Sequence, residues 1–195
     1  SQKGAGAGHA SHYISLTHLE TSGTIVLNGK SFQVTGLAWM DHEFFTHQLE
    51  SGQIGWDWFS VQLDDNTELM LFRIRRRDGS VDPFSAATFV DANGRSTHLR
   101  SSEFSLAPTG ETWTSPVTKA VYPVQWKITV PKFELELELK AQLPSQELTG
   151  GSGTLTPSYW EGAVIYEGTR ADGKIAGAGY LEMTGYDRPF EMGSN

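Results

Sequence analysis

Apolar and polar residues alternate along most of the chain from His12 onward, in short stretches that are typical of β-strands. The clearest case is 133–143, where apolar residues occupy the odd positions and polar or charged residues occupy the even ones. This is typical of an antiparallel strand with one buried face and one acidic face in solvent. No stretch keeps the 3.6-residue period of an amphipathic helix. The pattern therefore predicts an all-β chain.

Turn signals divide the pattern into eleven predicted strands. Four of the five turns are Asn-Gly or Asp-Gly pairs, which suit tight hairpins because both residue types tolerate positive φ angles. The predicted strands are 12–19, 23–28, 31–44, 55–64, 67–76, 85–91, 96–107, 120–130, 132–143, 159–168 and 174–186. About ten to eleven short antiparallel strands favour a barrel or a sandwich.

The length of 195 residues favours a single domain. Residues 1–10 are small and glycine-rich and predict a linker, which leaves 11–195 as one barrel domain. The Gly-x-Gly-x-Gly string in this linker follows no predicted strand and opens no helix, so it does not predict a nucleotide-binding loop. We expect an irregular crossing segment at 108–123 and a mobile loop at 150–153.

Charge and cysteine content narrow the classes of partner. The chain has 15 Lys and Arg against 23 Asp and Glu, a net charge of −8. Such an acidic chain is not expected to bind nucleic acid or to dock on an anionic membrane. The absence of cysteine excludes thiol catalysis, disulfides and cysteine-ligated metals. No apolar run approaches the roughly 18 residues of a membrane span.

The first unusual segment, at the end of the predicted strand 31–44, places Asp41, His42 and Glu43 in a row. In a strand, Asp41 and Glu43 point one way and His42 the other. One side facing a cavity would let burial shift a pKa into a useful range, whereas a strand-end charge cluster would only hydrogen-bond a neighbouring loop. The second histidine of a His-Glu-x-x-His zinc motif comes one position too late, at His47, so no metal site is predicted.

The second segment is Gly-Trp-Asp-Trp-Phe at 55–59. Parity puts Asp57 on the apolar side with Phe59, and it puts Trp56 and Trp58 on the other side. A carboxylate on an apolar face must be paired, hydrogen-bonded or protonated. Asp57 is therefore either a general acid in an aromatic pocket or a structural carboxylate that anchors an arginine of the next strand.

The third segment covers the last two predicted strands. Parity places Glu161 on one side of the first strand, and it places Glu182 and Tyr186 together on one side of the second. Gly177 and Gly179 leave room for a ligand, or let strands approach closely beneath covering aromatic rings. For both glutamates a functional and a structural reading stay open.

Taken together and in this order, the segments resemble the AttH-like family of two-domain lipocalin-like proteins. That family is related to bacterial carotenoid 1,2-hydratase and to fungal Diels–Alderases of decalin biosynthesis. The resemblance covers about residues 11–187. It is carried by GLAWMDHEF (36–44), GWDWF (55–59), QLDD (62–65), ELM (68–70), YWEG (159–162) and GAGYLEMTGY (177–186).

The resemblance implies a lipocalin-like antiparallel barrel, the C-terminal one of two in tandem. It implies an N-terminal sister domain as a partner, export to the periplasm or secretion, and, by similarity to the hydratase, acid catalysis without metal or cofactor. The site residues expected from the three segments are Asp41, His42, Asp57 and Glu161 as catalytic groups, and Trp39, Trp56, Trp58, Trp160, Tyr180 and Glu182 as ligand-binding groups.

Three functions stay open. The first is a domain that binds a hydrophobic, isoprenoid or lipid-like molecule. The second is a cofactor-free hydratase or cyclase, in which Asp57 or Asp41 protonates a double bond and Trp56 or Trp58 stabilises the carbocation. On that hypothesis Asp57→Asn abolishes turnover and leaves the fold intact. The third is a structural or interaction module of an export-associated protein, which a barrel filled with side chains would favour.

Overall fold

The computed structural model describes residues 1–6, 8–45, 49–150 and 157–189. Strands make up 63% of these residues and helix 3%. The strands are β1 (His12–Leu27), β2 (Lys30–Phe44), β3 (Gln53–Leu63), β4 (Glu68–Arg76), β5 (Ala86–Val90), β6 (Ser96–Arg100), β7 (Ser105–Pro108), β8 (Thr112–Thr114), β9 (Val121–Pro123), β10 (Gln125–Val130), β11 (Leu135–Ala141), β12 (Glu147–Leu148), β13 (Tyr159–Arg170) and β14 (Gly173–Thr184).

Helix within these described residues is limited to two single 3-10 turns, Ser101–Glu103 and Pro131–Phe133. Neither has the length or the apolar character of a helix that crosses a membrane.

The main sheet contains ten antiparallel strands in the order β6-β5-β4-β3-β14-β13-β11-β10-β7, with β12 beside β13. It curls into a half-barrel, and its two edge strands, β6 and β7, follow each other in the chain. The predicted fold class, an all-β lipocalin-like antiparallel barrel, is confirmed.

Side chains fill the inner face of the curled sheet. The alternation predicted for 133–143 is confirmed over 135–141, since Leu135, Leu137 and Leu139 are fully buried and the glutamates between them are exposed. At its ends the prediction is wrong, because Phe133 lies in a 3-10 turn and Leu143 is exposed. Trp126 and Trp160 are fully buried in the same core. The interior of the half-barrel is therefore a packed hydrophobic core that includes large aromatic side chains.

Gly179 on β14 lets the last strand lie close to β3. A Cβ at this position would come within 2.0 Å of the Ser60 carbonyl oxygen and 3.2 Å of the Tyr166 ring. The Tyr166 hydroxyl donates to that same carbonyl at 2.8 Å. An aromatic ring thus covers the glycine and strengthens the strand pair, which supports the barrel-closure reading over a ligand space here.

β1 and β2 form a separate two-stranded ribbon. The predicted Asn28-Gly29 turn closes it, with φ angles of 49° and 76°. The separate strands predicted at 12–19 and 23–28 are wrong, because one strand runs through both. The pairing of β1 with β2 shifts its register between Leu16 and Leu19 and continues on both sides of the shift.

The base of the ribbon packs across the outer face of the main sheet. Tyr13 and Trp39 contact a small cluster made by Met70, Phe72 and Ile74 of β4. Farther along, the ribbon is tied to β3, where a Gln62 side-chain amide donates to a ribbon carbonyl at 2.7 Å. The ribbon therefore covers the outer face of β3 and β4, with an apolar cluster on β4 and a hydrogen bond to β3.

The distal part of the ribbon, 20–37, extends beyond this contact and is called the arm. Its residues are exposed apart from the half-buried Val34. Ile25 pairs with Phe32 on one face, where both are about half exposed, at 55% and 47%. On the opposite face Gln33 donates to the Thr24 hydroxyl at 2.7 Å. The arm is thus an amphipathic ribbon with an uncovered apolar face.

Two other expectations need correction. The predicted strand 96–107 is interrupted by the turn Ser101–Glu103, where the Glu103 carboxylate accepts the backbone N–H of Arg100 at 2.8 Å. The segment 108–123 is not wholly irregular, because β8 and β9 pair within it.

In the segment predicted as a linker, 1–10, Lys3 forms an ion pair with Glu43 at 2.6 Å. The predicted loop 150–153 lies outside the described residues after Gly150.

Candidate functional site

A cleft of about 200 Å³ lies between the base of the ribbon and the outer face of the main sheet. We call it the aromatic cleft. Its walls come from the ribbon, the segment before β3, and strands β3, β4 and β14. Its lining consists of aromatic and aliphatic side chains, of Ser1 and Lys3 from the N-terminal segment, and of two carboxyl side chains: Tyr13, Leu49, Trp56, Trp58, Phe72, Ile74, Ser1, Lys3, Glu43 and Glu182.

The alternation of β3 explains why the two tryptophans meet here. Trp56 and Trp58 point outward, whereas Asp57 between them points into the barrel core, as parity predicts. In the sheet, Trp58 faces Phe72 on one neighbouring strand and Glu182 on the other. Cross-strand neighbours on one face of a sheet contact each other, so these side chains form the floor of the cleft.

Glu182 is the carboxyl group of the cleft floor, and its pKa is raised to about 7. Burial is the main cause, followed by the negative charge of Glu161, its cross-strand partner on β13. A hydrogen bond from Trp56 Nε1 at 3.2 Å partly opposes the increase. Near neutral pH this carboxyl group is populated in both its protonated and its ionised form, which suits proton transfer.

Asp41 lies beside the cleft and is fully engaged as an acceptor. The Tyr13 hydroxyl donates to one of its oxygens at 2.5 Å, and Trp39 Nε1 donates to the other at 2.7 Å. Burial, and then the hydrogen bond to Asp41, raise the pKa of Tyr13 well above its usual value. Both donors belong to the ribbon itself, so these contacts fix the side chains of Tyr13 and Trp39 at the base of the ribbon.

Trp58 supplies a hydrogen-bond donor to the cleft region. Its Nε1 atom is buried and has no partner among the residues that the structure describes. Its ring meets that of Trp39 edge-on, with centroids 6.1 Å apart. A buried N–H without a partner costs free energy that a bound acceptor would recover.

Asp57 belongs to a different network, inside the barrel. Its carboxylate accepts from Arg73 Nε at 2.8 Å and from the Tyr186 hydroxyl at 2.8 Å, and Arg75 Nε lies 3.4 Å away. The Arg73 guanidinium also stacks over the Trp126 ring at 4.7 Å. These contacts favour the structural reading of Asp57, and its catalytic role stays a prediction.

The position of Tyr186 differs from the expectation that it shares a side with Glu182. β14 ends at Thr184, and Gly185 then adopts a φ of 72°. That left-handed residue breaks the two-residue alternation, so the Tyr186 side chain turns towards the core and reaches Asp57. Burial, and next the negative charge of Asp57, raise the pKa of Tyr186.

The remaining predicted residues lie around the cleft or away from it. Glu161 lies beside Glu182 and its side chain is largely exposed, but partial desolvation of its carboxyl group raises its pKa. Tyr180 is half exposed on the same outer face. His42 is exposed on the opposite face of the ribbon, and Trp160 is buried in the barrel core with its Nε1 donating to the Pro144 carbonyl at 2.6 Å. The structure thus gathers Trp39, Asp41, Trp56, Trp58, Glu161 and Glu182 at the cleft or its rim, but not His42, Asp57 or Trp160.

Sequence reasoning missed Tyr13, Leu49 and Phe72. The signal for Phe72 was available, because β4 is apolar at consecutive positions, with Leu71 inward and Phe72 outward. A strand that is apolar on both faces is covered on both faces. The sequence could therefore have indicated that something packs on the outside of this strand.

Metal binding finds no support in the described part of the chain, where no three His, Asp or Glu side chains lie together in a way that could hold an ion. His47, the histidine of the rejected zinc motif, lies outside those residues.

Comparisons with known proteins agree with this architecture. A family model described as AttH-like matches residues 1–186. A crystal structure of an AttH protein, NE1406 of Nitrosomonas europaea, is similar at 41% identity and a TM-score of 0.83, over 95% of this chain and 55% of that one. Kievitone hydratase of Nectria haematococca is similar at 19% identity and a TM-score of 0.72, over 91% of this chain and 53% of that one.

The chain therefore spans about half the length of each of these two structures. At 19% identity, the similarity to kievitone hydratase shows the fold alone. No curated protein matches the sequence.

Proposed function

The chain belongs to the AttH-like family, and from that premise we propose that its aromatic cleft binds a small, largely apolar molecule bearing a hydrogen-bond acceptor. The observation that carries this proposal is the buried Nε1 of Trp58, which has no acceptor among the described residues and belongs to a side chain that lines the cleft. An oxygen of a ligand placed there would restore the missing hydrogen bond.

The lining of the cleft defines the chemistry of the ligand. Trp56, Trp58 and Phe72 offer aromatic surface, and the volume of about 200 Å³ lies below the range of drug-sized ligand sites, which limits the ligand to a compact molecule. An isoprenoid or lipid-like compound with one oxygen fits that description. Because the inner face of the barrel is packed with side chains, we place this ligand under the ribbon rather than inside the barrel.

Trp58→Phe is expected to weaken binding of geraniol about tenfold, because phenylalanine keeps an aromatic ring but lacks the N–H donor. Binding can be measured by isothermal titration calorimetry with the full-length protein. Myrcene, a hydrocarbon of the same size without an oxygen, is the matched ligand. Its affinity is expected to be equal in the wild type and the variant.

Phe59→Tyr is unsuitable as a control because Phe59 is fully buried in the barrel core. Trp113→Phe is the better one, since it makes the same substitution in β8, outside the cleft lining. Equal geraniol affinity in the wild type, Trp58→Phe and Trp113→Phe would count against the proposed ligand contact.

Acid-catalysed hydration is a second candidate function, favoured by the pKa of Glu182 near 7 inside an aromatic cleft. In this mechanism the protonated carboxyl group gives its proton to one carbon of a ligand double bond. The faces of Trp56 and Trp58 stabilise the resulting carbocation. Water adds to the cation and returns a proton to the carboxylate, so the net reaction is addition of water. The name of kievitone hydratase, a structure with the same fold, agrees with this chemistry.

Glu182→Gln is expected to lower such turnover by about 100-fold, because glutamine cannot donate the proton. The assay follows incorporation of ¹⁸O from labelled water into a panel of C10 to C20 isoprenoids. Glu167→Gln removes a carboxyl group from the exposed face of β13, outside the cleft, and is expected to retain most of the rate. Absence of incorporation across the panel, or full activity in Glu182→Gln, would refute the hydratase assignment.

The arm favours an additional role in docking. Its apolar face is uncovered, and the solved structures of similar proteins are about twice as long as the matched region. We therefore include in the proposal an N-terminal lipocalin-like sister domain as the partner of the arm, and export of the whole protein to the periplasm or medium. Cell fractionation tests the location of the protein. Limited proteolysis of the full-length protein tests whether the sister domain protects the arm from cleavage.

A further inference from the structure

A second and larger cavity lies on the other side of Tyr13 and Phe72, with a volume of about 880 Å³. We call it the edge groove, since it runs between β1 of the ribbon and the outer face of β4, β5 and β6. Both cavities touch Tyr13 and Phe72, but the edge groove includes neither the tryptophans of the aromatic cleft nor Glu182. It is therefore a separate site.

Register across the sheet orders the floor of the edge groove. Phe72, Ala86 and Arg100 form one cross-strand row from β4 to β6. Met70, Thr88 and His98 form the next row. Each row begins with an apolar side chain near the ribbon and ends with a basic or imidazole side chain on the edge strand. The floor thus changes from apolar to polar across its width, and Arg100 supplies a positive charge at the edge strand.

The charge of the edge groove is opposite to that of the chain. The whole chain carries a net charge of −8, yet none of the described residues that line the groove is Asp or Glu. Arg100 lines it and has no ion-pair partner within the described part of the chain. His18 also lines it and contacts the buried Glu68 at 2.8 Å, at the foot of the ribbon. The Glu103 carboxylate lies at the backbone of Arg100 rather than in the lining.

From this arrangement we infer that the edge groove binds an amphiphile with an anionic head group and an apolar chain, such as a long-chain carboxylate. The guanidinium of Arg100 receives the head group, because arginine pairs a carboxylate through two parallel hydrogen bonds. The chain lies along Met70, Phe72 and Phe84, which supply the apolar wall. A volume of 880 Å³ falls within the range of small-molecule sites.

The test compares three amphiphiles with the same tail. Dodecanoate, 1-dodecanol and dodecyltrimethylammonium are titrated below their aggregation limits into the full-length protein by calorimetry. Dodecanoate is expected to bind about tenfold more tightly than the other two, because only it forms the charge-assisted pair with Arg100. Equal affinities for all three, or no binding of dodecanoate, would overturn the inference.

Arg100→Gln locates the head group. It is expected to weaken dodecanoate binding about tenfold and to leave dodecanol binding unchanged. Lys174→Gln removes one positive charge from an exposed position of β14, outside the groove. It is expected to leave the binding of dodecanoate and of dodecanol unchanged. An equal loss in both variants would mean that net charge alone governs binding, and would refute the site.

A photoactivatable diazirine at the tail end of dodecanoate provides an independent measurement that does not depend on a variant folding. Crosslinks are expected on the segment around Phe84 or on β4 at Met70. Crosslinks confined to the peptide with Trp56 and Trp58 would place the molecule in the aromatic cleft and overturn the assignment to the edge groove.

Discussion

Asp57→Asn is expected to lower the free energy of unfolding by about 3–5 kcal/mol, the effect of breaking a buried ion pair by neutralising one partner. Asp57 is fully buried, and the side chains of Arg73 and Arg75 are only 15% and 17% exposed. Asparagine keeps the shape of the side chain but leaves two nearly buried guanidinium groups without their counter-charge. Urea unfolding at pH 7, followed by tryptophan fluorescence, measures the loss.

Glu136→Gln is the control for this substitution. Its partner is Lys127 at 2.7 Å, but the two side chains are 56% and 41% exposed, so the change in stability is expected to stay within about 1 kcal/mol. A stable Asp57→Asn protein would contradict the structural role. Loss of hydration activity in such a stable variant would instead support Asp57 as the catalytic acid.

Glu182→Gln is expected to stabilise the protein at alkaline pH by at most about 3 kcal/mol and to have little effect near pH 4. The pKa of Glu182 is about 7 in the folded protein against 4.5 for an unperturbed glutamate. Between these values the folded protein holds a proton that the unfolded chain has released. The stability contributed by this proton is complete below pH 4.5 and is lost as pH rises through 7. Glutamine has no such proton to lose.

Thermal unfolding of both proteins between pH 4 and pH 9 measures this difference. The wild type is expected to lose stability relative to Glu182→Gln mainly between pH 4.5 and pH 7. Glu167→Gln, on the exposed face of β13 and outside the cleft, is the matched control and is expected to follow the wild type. Parallel curves for the wild type and Glu182→Gln would contradict the raised pKa, whatever the outcome of the hydration assay.

The two-residue period of a strand made part of the site predictable. It placed Trp56 and Trp58 on the opposite face of β3 from Asp57, and it placed Asp41 on the opposite face of β2 from His42. The structure has the same arrangement. A carboxylate on the apolar side of β3 was correctly expected to need a partner, and the next strand supplies it in Arg73.

Distances along the chain set the limit of that reasoning. Trp56 and Glu182 are 126 residues apart, and no local pattern states that β14 pairs with β3. Nor does alternation say that the β1–β2 ribbon folds back over β4, which creates both cavities. The misplacement of Tyr186 has a local cause, since one left-handed residue at Gly185 reverses the parity on which the expectation depended.

The arm has a consequence for handling and redesigning this protein. Within the arm, both strands are edge strands, so a strand from another molecule can pair with their outward backbone N–H and C=O groups. Gly23 and Val34 face each other in register and are the same type of antiparallel pair as Leu27 and Lys30, which flank the present Asn28-Gly29 turn. A deletion that joins them through a two-residue Asn-Gly turn would therefore keep every remaining side chain on its present face. The shortened hairpin would remove the exposed Ile25 and Phe32 while sparing the base that covers the aromatic cleft.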